Sequence, residues 1–272
     1  MRAGLVCVVA MAALVAGAAR AEEPGPYATG GELQAAMRAG SQTSEGLVQE
    51  DLQRIAALDR QGPRLNSVIA LNGHAIAEAR ALDAERRAGR VRGPLHGLTI
   101  LIKDNIEAGE FAPTTAGSLA LAANSTGRDS PLVARLRDAG AVILGKTNLS
   151  EWANYRSAHA MNGWSAVGGL TRNPYALDRD ACGSSSGSGA AVAAGLAWAA
   201  IGTETDGSIT CPSALNGLVG LKPTVGLVSR RYVVPISPEQ DTPGPMARSV
   251  ADAAAILTVL SLIHISEPTR PY

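Results

Sequence analysis

Aromatic side chains are scarce: three Trp, five Tyr and a single Phe among 272 residues. A core without them must be filled by small and branched aliphatic side chains packed closely. Neither sign of charge is in excess, since 24 Lys and Arg face 24 Asp and Glu. No basic run stands out either, which argues against a nucleic-acid partner. The four histidines are scattered, with no H-E-x-x-H, and the cysteines lack metal-ligand spacing. No metal and no cofactor is expected from such a set. What the chain does have is 46% hydrophobic and 18% charged residues, the balance of a globular protein long enough for a sizeable core. No repeat and no interdomain linker appears after residue 30, so the reading is one domain.

The first residues read as a leader. Arg2 supplies a positive charge, Leu5 to Ala18 is apolar and uncharged, and Ala19-Arg20-Ala21 fits a small-x-small cleavage site ahead of Glu22. The apolar run is short for a membrane span. The expectation is a signal peptide over 1–21, a periplasmic or secreted protein, and no membrane association beyond that segment. Cys182 and Cys211 would remain in the mature chain. An oxidising compartment would allow a bridge, but both lie in Gly/Ser-rich loops, and two reduced, buried packing residues are the default reading.

Helices and apolar strands alternate along the rest. Ser44 to Arg60 has the period of an amphipathic helix that Ser44 can cap, with Leu47, Leu52, Ile55 and Leu58 on one side. Ala75 to Arg87 is a second helix, stopped by Gly89. Leu98 to Ile102 is a short apolar strand ending at Lys103. Pro131 to Ala139 reads as a helix and Ala141 to Leu144 as a strand. After the Gly/Ser loop Cys182–Gly189 come an Ala-rich helix over 190–196, a strand over 198–202 and a polar turn over 203–210. Such alternation with fully apolar strands is the pattern of an α/β layered fold with a buried sheet.

Three motifs compete for the chemistry. Gly140 to Thr147 matches the phosphate-binding P-loop letter for letter, but its spacer Ala141-Val-Ile-Leu144 is a strand and a helix precedes it, the reverse of what a phosphate cradle needs. A nucleotide-binding module is the alternative of a different class, and ATP-dependent thermal stabilisation would reveal it. Gly183-Ser-Ser-Ser-Gly187 matches the nucleophile elbow, yet the residues before it, with Pro174 and several charges, are loop-like, and the only histidine downstream is His264. The third constellation is Lys103, the serines at 184–188 and Ser208. A lysine at the end of a buried strand is desolvated, which favours its neutral form, and a neutral lysine can take a proton from serine as histidine does elsewhere.

Together these segments resemble the amidase signature family. Gly93 to Asn105 is similar to the segment with the family's catalytic lysine, Cys182 to Gly189 to its signature loop, and Gly202 to Pro212 to its nucleophile loop. Asn216 to Thr224 and Asp241 to Ala251 continue the pattern. The resemblance implies a mixed central sheet covered by helices on both faces, and a Ser–Ser–Lys triad. In it Ser208 is the nucleophile, Ser184 the bridging serine after a cis peptide bond, and Lys103 the base. The backbone N–H groups of Thr205, Asp206, Gly207 and Ser208 would form the oxyanion hole. Cys182, Ser186 and Asp206 depart from the pattern, standing where many members carry Gly.

Gly145 to Asn154, Gly163-Trp-Ser165 and Thr171 to Tyr175 further resemble the bacterial peptide amidases of this family, which implies a peptide amide as substrate. A broad aliphatic or aryl amidase, or the amidase component of a tRNA-dependent amidotransferase, is the alternative within the family. An inactive fragment is the alternative outside enzymes. The motif resemblance ends near Leu260, while related enzymes continue well beyond. Residues 261–272, ending in Thr-Arg-Pro-Tyr272, read as a non-native tail, the C-terminal part of the fold as missing, and residues 22–272 alone as aggregation-prone and essentially inactive.

Overall fold

The computed structural model describes residues 24–109 and 111–262. Helix α1 (Gly30–Ala39) begins on a reciprocal cap between Thr29 and Glu32. Helix α2 (Ser44–Arg54) is capped by Thr43, whose hydroxyl accepts the Gly46 N–H, so Ser44 is the first helical residue and not the cap. The helix also does not run regularly to Arg60: Ile55–Arg60 is a wider, π-helical turn. Its buried Asp59 accepts the N–H groups of Ser67 and Val68 at 2.6 and 3.2 Å and so joins the turn to strand β1 (Val68–Leu71). Helix α3 (Ala75–Arg87) fills its predicted span, with Gly89 at φ +76° just past its end.

Strands β2 (Thr99–Lys103), β3 (Val142–Thr147) and β4 (Ala199–Glu204) are buried along their whole length. They pair parallel in the order β3-β2-β4 at the middle of one six-stranded sheet. Antiparallel strands complete it: β1 beside β3, then β6 (Thr242–Ala247) beside β4, and the two-residue β5 (Val219–Gly220) beside β6, giving the order β1-β3-β2-β4-β6-β5. The sheet is thus mixed, as the resemblance implies. β6 carries Pro243 and Pro245. Proline cannot donate to a ladder. Both prolines alternate with the residues that face β4, so their nitrogens point toward short β5, which pairs only with Met246 and Ala247.

Alternation along the strands divides the core in two. Ile100, Ile102, Ile143, Ala199 and Ile201 pack with Leu33 and Met37 of α1, with helix α4 (Pro131–Asp138) and with helix α7 (Val250–Leu260). Leu101, Val142, Leu144 and Ala200 pack on the opposite face with α3 and with helix α5 (Ser186–Ala193). Helices therefore cover both faces. A short helix, α6 (Thr210–Leu215), follows β4. Packing continues through Ser261, whose carbonyl accepts Arg135 at 2.9 Å, and Leu262, whose N–H donates to Leu227 at 2.8 Å. These lie two residues into the stretch read as a tail. The segment read as a leader and the rest of the stretch read as a tail lie outside the described residues. No helix among the described residues is long and apolar enough to cross a membrane.

Candidate active site

Lys103 closes β2 on the same face as Leu101, toward α5, and is fully buried. Its Nζ lies 2.7 Å from Ser184 Oγ, 2.9 Å from Thr203 Oγ1 and 3.3 Å from the Thr203 carbonyl. Burial pulls its pKa down to about 7, and the carboxylates of Glu204 and Asp241 only partly oppose this. The amine is therefore part-neutral at ordinary pH, which an exposed lysine is not.

Ser184 sits in the loop that opens α5, follows a cis peptide bond from Gly183 and is fully buried. Its carbonyl accepts the Ser150 N–H at 3.0 Å. The Gly/Ser composition of this segment has a packing reason. Every residue of α5 is buried, and a Cβ on Gly187 would press on the backbone of Ser67 and Asn148. The serines replace water as partners: Ser188 meets Thr147 at 2.7 Å, and Ser185 Oγ accepts the Thr203 N–H and donates to the Thr203 carbonyl, each at 3.2 Å.

Ser208 is buried at the turn between β4 and α6, after Gly207 at φ +77°. Its carbonyl accepts the Ser185 N–H at 3.2 Å, which joins the two serine loops. Glu204 shapes this turn by accepting the N–H groups of Gly207, Ile209 and Thr210 at 3.0, 2.8 and 2.8 Å. Burial pushes the Glu204 carboxyl up, but these backbone donors outweigh it and hold the pKa below the usual range. One consequence alters the expected oxyanion hole. The Gly207 N–H is already bonded to Glu204, whereas those of Thr205, Asp206 and Ser208 make no hydrogen bond inside the described chain.

The P-loop look-alike is a strand, as expected. Its lysine, Lys146, is buried and pairs with Asp104 at 2.8 Å and Thr114 Oγ1 at 2.9 Å. The elbow look-alike has no strand before it. The cysteine reading is overturned: Cys182 and Cys211 are joined in a disulfide, their Cα atoms 5.9 Å apart. Two loops that look independent along the chain are brought within bridging reach by the α5–β4 hairpin of structure between them.

Sequence reasoning missed Thr203, Asn105 and Glu204. Asn105 Nδ2 donates to Thr203 Oγ1 at 2.9 Å, beside the contact from Lys103. A cavity of about 460 Å³ adjoins this pair and is walled by Thr205, Arg230, Pro235 and Asp241 among others. Neither Ser184 nor Ser208 lines it. Thr203, Asn105 and Glu204 all lie inside the segments that resemble the family's lysine and nucleophile motifs, and that membership was the signal that could have found them.

The family model for amidases matches residues 47–272. The chain belongs to the amidase signature family. A peptide amidase from Stenotrophomonas maltophilia is 61% identical in its solved structure, with a TM-score of 0.86 over 91% of this chain and 52% of that one. An amidase family protein from Bacillus anthracis is 42% identical, with a TM-score of 0.83 over 86% of this chain and 46% of its own. A putative amidase from Arthroderma benhamiae is 48% identical over 229 residues, 84% of this chain and 38% of its own. A glutamyl-tRNA(Gln) amidotransferase component from Thermobifida fusca is 44% identical over 246 residues, 88% of this chain and 48% of its own. The chain spans less than half the length of these curated relatives. Its α/β fold with a mixed sheet is that of the amidase structures.

Proposed function

We propose that this amidase hydrolyses carboxamides, with C-terminal peptide amides as substrate, through Ser208, Ser184 and Lys103. The observation that carries the reading is the 2.7 Å contact between a fully buried, pKa-lowered Lys103 and Ser184 Oγ. Ser208 Oγ attacks the amide carbonyl while its proton passes to Ser184 and the Ser184 proton to Lys103 Nζ. The N–H groups of Thr205, Asp206 and Ser208 receive the developing oxyanion. Collapse expels ammonia, which takes the proton back along the same path, and water then releases the carboxylate from Ser208. The peptide preference is supported by the 61% identity to a peptide amidase. An extracytoplasmic location is supported by the disulfide and by the leader-like first residues.

The test, made on a complete version of this enzyme, is ammonia release from a panel of peptide amides, simple aliphatic amides and glutamine. Peptide amides are expected to be turned over best, and Ser208→Ala to abolish release with the melting curve unchanged. Retention of more than a few per cent of the rate would remove Ser208 from its role. Preference for glutamine would favour the amidotransferase-like reading that the Thermobifida relative suggests.

A further inference from the structure

The Cys182–Cys211 bridge brackets the site. Cys182 stands two residues before Ser184, and Cys211 three residues after Ser208. Cys182 also has φ +55°, in the left-handed region where glycine fits without strain and a Cβ does not. The side chain at 182 thus needs a reason of its own, and the bridge supplies it. Beside the bridge, hydrogen bonds link the two serine loops at three places: Ser185 N–H to the Ser208 carbonyl at 3.2 Å, Ser185 Oγ to the Thr203 N–H and carbonyl at 3.2 Å each, and Asn216 Nδ2 to the Ala181 carbonyl at 3.0 Å. Each loop also has bonds of its own: the Cys182 N–H donates to Asp180 at 2.7 Å, Ser184 is held by Ser150 and Lys103, and Glu204 accepts the N–H groups of the turn around Ser208, none of which ties Cys211 and its neighbours to Cys182. Cys182 is buried and Cys211 half-buried, so Cys211 is the half of the bridge nearer solvent.

We propose that the Cys182–Cys211 disulfide is a positioning clamp that holds Ser184 and Ser208 in mutual register, so that the amidase site is thiol-sensitive. A dithiol reductant opens it by exchange: one reductant thiolate attacks Cys211 Sγ and expels the Cys182 thiolate. The second reductant thiol then closes on the first, releasing two protein thiols and one oxidised reductant. The chemical consequence rests on the amidase reading; the local ordering does not.

The experiment uses the full chain, oxidised and reduced with dithiothreitol, beside the double variant Cys182→Gly/Cys211→Ala, in which glycine suits the left-handed backbone. Hydrogen exchange and the rate of Ser208 labelling by a fluorophosphonate are measured on each. Reduction and the double variant are both expected to speed exchange at least tenfold in peptides covering 182–189 and 204–212, with 99–103 unchanged. Labelling is expected to slow at least tenfold through the maximal rate and not through probe affinity. Unchanged exchange in the serine loops, exchange that rises equally in 99–103, or the absence of a Cys182–Cys211 cross-linked peptide before reduction would each overturn the clamp. If no state is labelled at Ser208, the amidase reading fails, and exchange still decides whether the clamp exists.

Discussion

At the scale of single residues, Lys103 has three acceptors around one nitrogen: Ser184 Oγ, Thr203 Oγ1 and the Thr203 carbonyl. As an ammonium it donates to all three. As an amine it keeps two protons, which the Thr203 oxygens hold, and its lone pair is left facing the Ser184 hydroxyl. Activity should therefore fall as pH drops through about 7, by roughly tenfold per unit on the acid side. A flat rate from pH 5 to 9 would remove Lys103 as the base. The same shift bears on stability. The folded pKa of about 7 lies below the unfolded value, so the unfolded chain binds the extra proton between the two. The cost of burying Lys103 is full below pH 7 and fades as pH rises toward that of an ordinary lysine. It is bounded by roughly 5 kcal/mol, less what Ser184 and Thr203 lose without a donor. Lys103→Met should raise Tm at pH 6 and lose that gain by pH 10; an equal gain at both would mean that the folded lysine stays charged. His96 is the contrast. It is buried, 3.0 Å from the Leu82 carbonyl, and burial lowers its pKa. His96→Ala should lower Tm by several degrees and leave turnover within about threefold; a larger loss of rate than in the Lys103 variant would return a histidine to the mechanism.

At the scale of elements, α5 is the most constrained piece. Gly187→Ala would set a methyl against the backbone of Ser67 and Asn148, neither of which can swing aside as a side chain could. We expect a loss of roughly 3 kcal/mol or more and a Tm lowered by about 6 °C or more, in contrast to Gly73→Ala, which meets nothing within 4 Å and does not require a positive φ. Calorimetry of the two variants decides it. Elements governed by their own residues were legible in the sequence: α3 by its apolar period, β2 and β3 by short apolar runs, the turn after α3 by Gly89. Those governed by distant partners were not. The π-helical turn depends on Asp59 finding the Ser67 N–H. Strand β6 contains Thr-Pro-Gly-Pro, which reads as a turn, and exists because β4 pairs with it on the side the prolines leave free. The site divides the same way. Lys103, Ser184 and Ser208 have roles that the motifs name, while Thr203 and Asn105, inside the same motifs, matter only through where β4 lies beside β2, and the disulfide only through the fold that joins its loops.

At the scale of the whole molecule, the two core clusters share one sheet, since neighbouring residues of β2, β3 and β4 feed opposite faces. Neither face can open and leave the other its wall, so unfolding in urea should be a single transition. Trp198 fluorescence, read in a chain with Trp152 and Trp164 replaced by Phe, should coincide with far-UV circular dichroism. Two separated midpoints would show that the faces come apart independently. Lys103 ends a central strand of that sheet, and its low proton affinity comes from the dryness of the layer toward α5, which the sheet itself walls off. Let water into that layer and the amine regains the affinity of an ordinary lysine, takes up a proton and keeps it. The fold thus carries a gauge of its own integrity: a loosened molecule would fall silent by protonation before its serines had moved.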